Sequence, residues 1–132
     1  MALFKKQLPE FKRSIDDHLM MILSRSEQSS RELSQAMEYS VMNGGKRIRP
    51  LMMLASAMAI DVKTEDVIPF ATAIELLHSF SLIHDDLPCM DDDSMRRGQP
   101  TTHIKFGEAT ACLLYTSPSP RDATLSRLAG YA

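Results

Sequence analysis

The sequence predicts a soluble, globular, helix-rich domain, and three observations carry that reading. The 132 residues are 44% hydrophobic but only 6% aromatic, with ten Met and no Trp, and the chain is long enough for a real core. Apolar residues recur at helical spacing with charged residues opposite them. Glycine and proline fall where those periodic stretches end and begin. A net charge of −2 argues against nucleic acid or an anionic membrane as partner. Cys89 and Cys112 form no disulfide framework and no zinc spacing, which suits a reducing compartment. The N-terminus reaches Glu10, Asp16 and Asp17 too soon for a signal peptide or a transmembrane span. A cytoplasmic location is expected.

The first helix is read from Phe4, Leu8, Phe11, Ile15, Leu19 and Ile22, with Pro9 near the start of its stable part. Ser29 and Glu32, three apart, resemble a capping box. A second helix then runs through Leu33, Met37 and Val41 and stops at Asn43-Gly44-Gly45, where glycine tolerates a left-handed C-cap. Pro50 suits the first turn of a third helix through Leu51, Met52, Leu54, Ala55 and Met58. Between them lies Lys46-Arg47-Ile48-Arg49. Taken alone this is a helix connector with surface charge, or an anion site built from flexible glycines, basic side chains and a helix N-terminus. After a polar connector at residues 61–66, residues 67–87 are apolar nearly all round, which predicts a central helix wrapped by the others. Glu75, His78 and His84 are its exceptions, and His78 has the better claim to face a cavity.

Residues 78–103 hold the chemistry. Asp85, Asp86, Asp91, Asp92 and Asp93 fall within nine positions, followed by Arg96 and Arg97. Carboxylates this close repel one another, and a bound cation is the simplest remedy. Oxygen ligands favour a hard ion, Mg²⁺ first, and the arginines suggest a phosphate or diphosphate shared with it. On an ideal helix Asp85 and Asp91 are rotated by about 240° from one another. Pro88 should kink or end the helix and so let Asp91 come round to Asp85.

Asp85-Asp86-Leu87-Pro88-Cys89-Met90-Asp91, followed by Arg96-Arg97-Gly98, resembles the first aspartate-rich motif of the trans-prenyl diphosphate synthases. Gly44-Gly45-Lys46-Arg47-Ile48-Arg49-Pro50 resembles that family's upstream basic motif, and Phe80 with Ser81 resembles the bacterial farnesyl diphosphate synthases. The resemblance implies an all-α fold: an antiparallel helix bundle of the isoprenoid synthase type around a deep cavity, truncated here to its N-terminal helices. It implies a reaction joining an allylic diphosphate to isopentenyl diphosphate, giving farnesyl diphosphate or, alternatively, geranylgeranyl diphosphate. Asp85 and Asp91, with Asp86 nearby, would bind Mg²⁺ and be catalytic. Arg96 would contact the allylic diphosphate, and Lys46, Arg49, His78 and Arg97 the isopentenyl diphosphate. Phe80 and Ser81 would set product length, with Phe80 at the pocket floor. A homodimer is expected of the full-length enzyme.

The resemblance covers residues 1 to about 111. Residues 112–132 look like the translation of a sequencing-library adaptor joined to a truncated reading frame. They are expected to be an artefactual, disordered tail, which codons unrelated to adaptor sequence would disprove. The family's second aspartate-rich motif is not in the sequence, so the polypeptide itself is expected to be inactive. Two other classes compete with the synthase reading. One is a metal phosphohydrolase built on His84-Asp85, which needs His18, His78 or His103 at the same metal. The other is a non-catalytic fragment that binds diphosphate.

Overall fold

The computed structural model describes residues 2–24 and 30–115. Six helices account for most of them: α1 (Ala2–Ser24), α2 (Arg31–Met42), α3 (Ile48–Ala59), α4 (Thr64–Asp85), α5 (Thr102–Phe106) and α6 (Glu108–Tyr115). One small hairpin, β1 (Met95–Arg96) paired antiparallel with β2 (Gln99–Pro100), separates α4 from α5. The all-α expectation holds, with that two-stranded exception.

The apolar stripe of α1 places Phe11, Ile15, Leu19 and Leu23 in the main core, where they meet Val41, Leu51, Leu54 and Ala71. The Phe4 side chain lies outside the described residues. Pro9 sits inside α1 rather than at its start; it is exposed, so no packed neighbour opposes the local adjustment that a missing N–H requires. At the start of α2 the cap is Ser30, whose side chain accepts from the Leu33 N–H at 3.3 Å. The predicted cap Ser29 lies outside the described residues.

Helix α4 packs against α1, α2, α3 and α6, which makes it the central element. By length and composition alone it could cross a membrane. Its middle, however, carries Glu75 in a buried ion pair with Arg47, as the core helix of a bundle can. The helix is not wrapped all round. Phe70 and Leu77 are each 67% exposed; seven residues apart, they share one helix face, and the four packed helices occupy the others. A second cluster joins Ile83 and Leu87 of the α4 end to Ala36, Ala111 and Leu114, with Phe80 packed against it.

Helix α6 runs four residues past Ala111, and Leu114 is buried in that second cluster. Residues 112–115 show no period of their own in the sequence, but a few residues can extend a helix already nucleated. Residues 116–132 of the predicted tail lie outside the described residues.

Candidate functional site

Helix α2 ends on Asn43, whose N–H donates to the Tyr39 carbonyl at 3.0 Å. Gly44 and Gly45 then reverse the chain with φ of +79° and +133°, values an L side chain rarely adopts. The loop and the first turn of α3 deliver Lys46 and Arg49 to an open pocket of about 720 Å³, which His78 of α4 and Arg97 of the hairpin also line. All four residues predicted to hold one diphosphate therefore meet at one place. Lys46, Arg49 and Arg97 are exposed, and His78 is half-buried.

The electrostatics of the pocket are legible in His78. Burial lowers its pKa below the ordinary 6.5, and the positive charges of Arg49, Arg97 and Arg96 lower it further, against an opposing pull from Glu75. A cationic pocket that keeps its imidazole neutral is one in which an incoming anion is welcome. Arg97 is fixed from behind. Its Nη1 donates to the Gly44 carbonyl, and the guanidinium fills the space that a side chain on Gly45 would need.

The acidic side begins where α4 ends. The predicted break at Pro88 is present: the chain turns through residues 86–91, and the Asp91 N–H donates to the Asp85 carbonyl at 2.9 Å. That bond returns the Asp91 main chain to Asp85. Asp91 is exposed, and the Asp85 side chain is 47% exposed with its Oδ1 3.6 Å from His84 Nδ1. Asp86 differs. It is buried, and Arg96 grips it with Nε 2.9 Å from both carboxylate oxygens and Nη2 2.6 Å from Oδ1. Asp93 Oδ2 stands 3.6 Å from the same Nη2. The hydrogen bond to Asp86 raises the Arg96 pKa beyond its ordinary value despite partial burial.

Asp85 and Asp91 fit a hard cation: their carboxylates are accessible oxygen donors, and Mg²⁺ commonly takes one or two carboxylates plus substrate phosphates and water. Asp86, already held on both oxygens, fits only if Arg96 releases it. Among the described residues no three His, Cys, Asp or Glu side chains converge as a metal group. The phosphohydrolase alternative finds no support either. His18 bonds to Thr72 at 2.9 Å, His103 lies 3.2 Å from Thr101, and His78 lines the basic pocket.

The hairpin sets the two arginines apart. Arg97 and Gly98 occupy its turn with φ of +53° and +76°, the pattern of a tight primed turn. Arg96 consequently reaches the acidic side while Arg97 reaches the basic pocket. Tyr39 Oη donates to the Pro100 carbonyl at 2.9 Å, and Ser40 meets Thr102 at 2.8 Å, docking the segment on α2. The sequence reading missed this hairpin; the Arg-Gly turn was its only signal. Phe80 packs in the second cluster with Ile83 and Leu87 and lies outside the walls of the basic pocket. Ser81 is exposed, its hydroxyl donating to the His78 carbonyl at 2.8 Å.

Residues 30–116 match the family model described as polyprenyl synthetase. The chain is similar to the farnesyl diphosphate synthase of Bacillus subtilis (strain 168), with 47% identity over 106 residues, 80% of this chain and 36% of that protein. It is also similar to the geranylgeranyl diphosphate synthase of Pseudescherichia vulneris, 46% identical over 112 residues, 82% of this chain and 36% of that protein. Among solved structures, a geranyltransferase from Legionella pneumophila superposes with a TM-score of 0.82 at 36% identity, covering 87% of this chain and 40% of that one. The chain thus spans 36% of the length of the two curated relatives.

Proposed function

The chain belongs to the polyprenyl synthetase family, and from that membership we propose a short-chain prenyltransferase activity: the condensation of isopentenyl diphosphate with an allylic diphosphate, giving farnesyl diphosphate. The observation that carries it is the convergence of Lys46, Arg49, His78 and Arg97 on one pocket. Three cations and an imidazole in one open cleft suit a multiply charged anion far better than a neutral ligand. In this reading that pocket holds the diphosphate of isopentenyl diphosphate.

The allylic diphosphate lies across the hairpin, on the side of Asp85 and Asp91. Those carboxylates would hold Mg²⁺, which supplies charge neutralisation of the departing diphosphate. Arg96 turns from Asp86 to the allylic diphosphate, exchanging one anionic partner for another. Asp86, released from Arg96, then joins Asp85 and Asp91. Lys46, Arg49 and Arg97 act by orienting the second substrate, so that the reacting carbon atoms meet without a search. Phe80, five residues before Asp85, limits product length, with Ser81 beside it. Geranylgeranyl diphosphate is the alternative product, favoured by the similarity to a synthase of that name. A cytoplasmic homodimer is the expected setting.

The test is a Mg²⁺-dependent assay with geranyl diphosphate and labelled isopentenyl diphosphate, on a protein carrying these residues at the family's full length. Asp85→Ala abolishes turnover and leaves the melting temperature nearly unchanged, because its side chain is half exposed. Surviving turnover removes the metal assignment. The 132-residue polypeptide, whose sequence holds one acidic motif, is expected to bind pyrophosphate and to give negligible turnover.

A further inference from the structure

Lys46, Arg47 and Arg49 look interchangeable in the sequence, but the fold separates them. Lys46 and Arg49 are exposed at the pocket rim, whereas Arg47 is only 3% exposed. Arg47 takes a φ of +51° at the N-cap of α3, an uncommon conformation for a non-glycine residue. From there its side chain runs inward. Nε donates to Asp16 Oδ1 at 2.8 Å, Nη1 to Glu75 Oε1 at 3.0 Å, and Nη2 to the Val41 carbonyl at 3.0 Å. One guanidinium thereby fastens α1, the end of α2 and α4 to the junction between the loop that carries Lys46 and the first turn of α3 that carries Arg49. Arginine spreads its donors over three nitrogens in a rigid planar fork, whereas the three donors of a lysine ammonium sit on one atom and do not reproduce that spread.

We propose that Arg47 is the positioning residue of the basic pocket. It is among the residues lining the pocket but acts without being a ligand, and its clamp holds the loop and the start of α3 so that Lys46 and Arg49 face the diphosphate. The proposal rests on the diphosphate reading of that pocket. A left-handed non-glycine residue persists only where its surroundings over-determine it. The three inward bonds do so here. Lys46 just before it and Arg49 two residues on are thereby directed outward, although all three carry the same charge.

The test titrates the 132-residue chain with inorganic pyrophosphate by calorimetry. The NMR signal of the His78 imidazole serves as a reporter of the pocket, and circular dichroism checks the fold. The variants are Asp16→Ala, Arg47→Lys and Arg49→Ala. Asp16 is outside the pocket, its side chain is 30% exposed, and it is anionic, so on electrostatics alone its removal favours an anion. Positioning predicts the opposite. Asp16→Ala and Arg47→Lys both weaken pyrophosphate about tenfold or more, the effect of removing a group that orients a ligand, with helical content retained.

If the two variants melt earlier yet bind pyrophosphate like the parent, Arg47 is a structural ion pair and the proposal is overturned. Should Asp16→Ala bind equally or more tightly while Arg47→Lys binds weakly, Arg47 is a direct ligand and the proposal again fails. If Arg47→Lys does not fold, Asp16→Ala decides between these outcomes. Failure of the underlying reading looks different: the parent takes up no pyrophosphate, or Arg49→Ala leaves uptake unchanged, and both readings then fall.

Discussion

Replacing Gly45 by Ala tests how the basic pocket is built. An added Cβ would lie 2.8 Å from Arg97 Nη1 and 3.3 Å from its Cζ, on a backbone with φ of +133°. The backbone strain costs about 1–3 kcal/mol. The steric contact is less costly, because the far end of a flexible side chain can move. Moving it breaks the bond from Arg97 to the Gly44 carbonyl, worth about 1.5 kcal/mol for an exposed charged donor. The total is about 2.5–4.5 kcal/mol, or about 10–18 °C of melting temperature at roughly 4 °C per kcal/mol. Gly44→Ala is the control. Its φ is +79° but nothing lies within 4 Å of the added Cβ, so it pays the backbone term alone, about 1–2 kcal/mol. The two variants separate most clearly in pyrophosphate titration. Gly45→Ala swings Arg97 out of register and loses about tenfold in affinity, the equivalent of about 1.4 kcal/mol, whereas Gly44→Ala leaves Arg97 in place. Equal affinities for the two variants would refute the idea that Gly45 makes room for Arg97.

Arg96→Ala leaves the buried Asp86 carboxylate without its partner. The expected loss is about 2–3 kcal/mol in thermal unfolding, below the full value of a broken buried pair because the Arg96 side chain is 33% exposed. A loss indistinguishable from zero would show that the pair contributes nothing to the fold. His78 should titrate below 6.5 in the free chain, as an NMR pH titration can read. Since the unfolded chain then binds the proton more readily, His78 makes stability fall as pH drops from about 6.5 through the folded value, levelling off beneath it. Pyrophosphate should raise that pKa by favouring the imidazolium, so its binding strengthens as pH falls through the same window; a downward shift on binding would contradict the pocket assignment. At the family's full length, Phe80→Ala should lengthen the prenyl product, and an unchanged product spectrum would remove Phe80 from the chain-length argument.

Much of the site was legible before any fold was known, because the signals are local. Helical periodicity in α1, the glycines after Met42 and Pro50 in the first turn of α3 depend on neighbours a few residues away. The crowding of Asp85, Asp86 and Asp91 and the break at Pro88 are properties of seven consecutive residues, and the structure keeps the break. The exposed stripe of Phe70 and Leu77 was not legible, since an apolar residue on a helix carries no record of whether anything packs on it. Nor was the hairpin at 95–100, too short for any period to show.

The sequence by itself determined which charges exist, their order, and that a diphosphate and a hard cation would suit them. Tertiary structure decided what each one does. Arg47, alike in charge to Lys46 and Arg49, turns inward because Asp16, Glu75 and the Val41 carbonyl, at separations of 31, 28 and 6 residues, wait for it. Asp86, alike to Asp85 and Asp91, is buried and held because Arg96, ten residues on, returns to it from the first strand of the hairpin. Arg96 and Arg97, adjacent in the chain, reach Asp86 and the basic pocket respectively because a primed turn parts them. Charge is a property of a residue, but its partner is a property of the fold, fixed by contacts that no local pattern records.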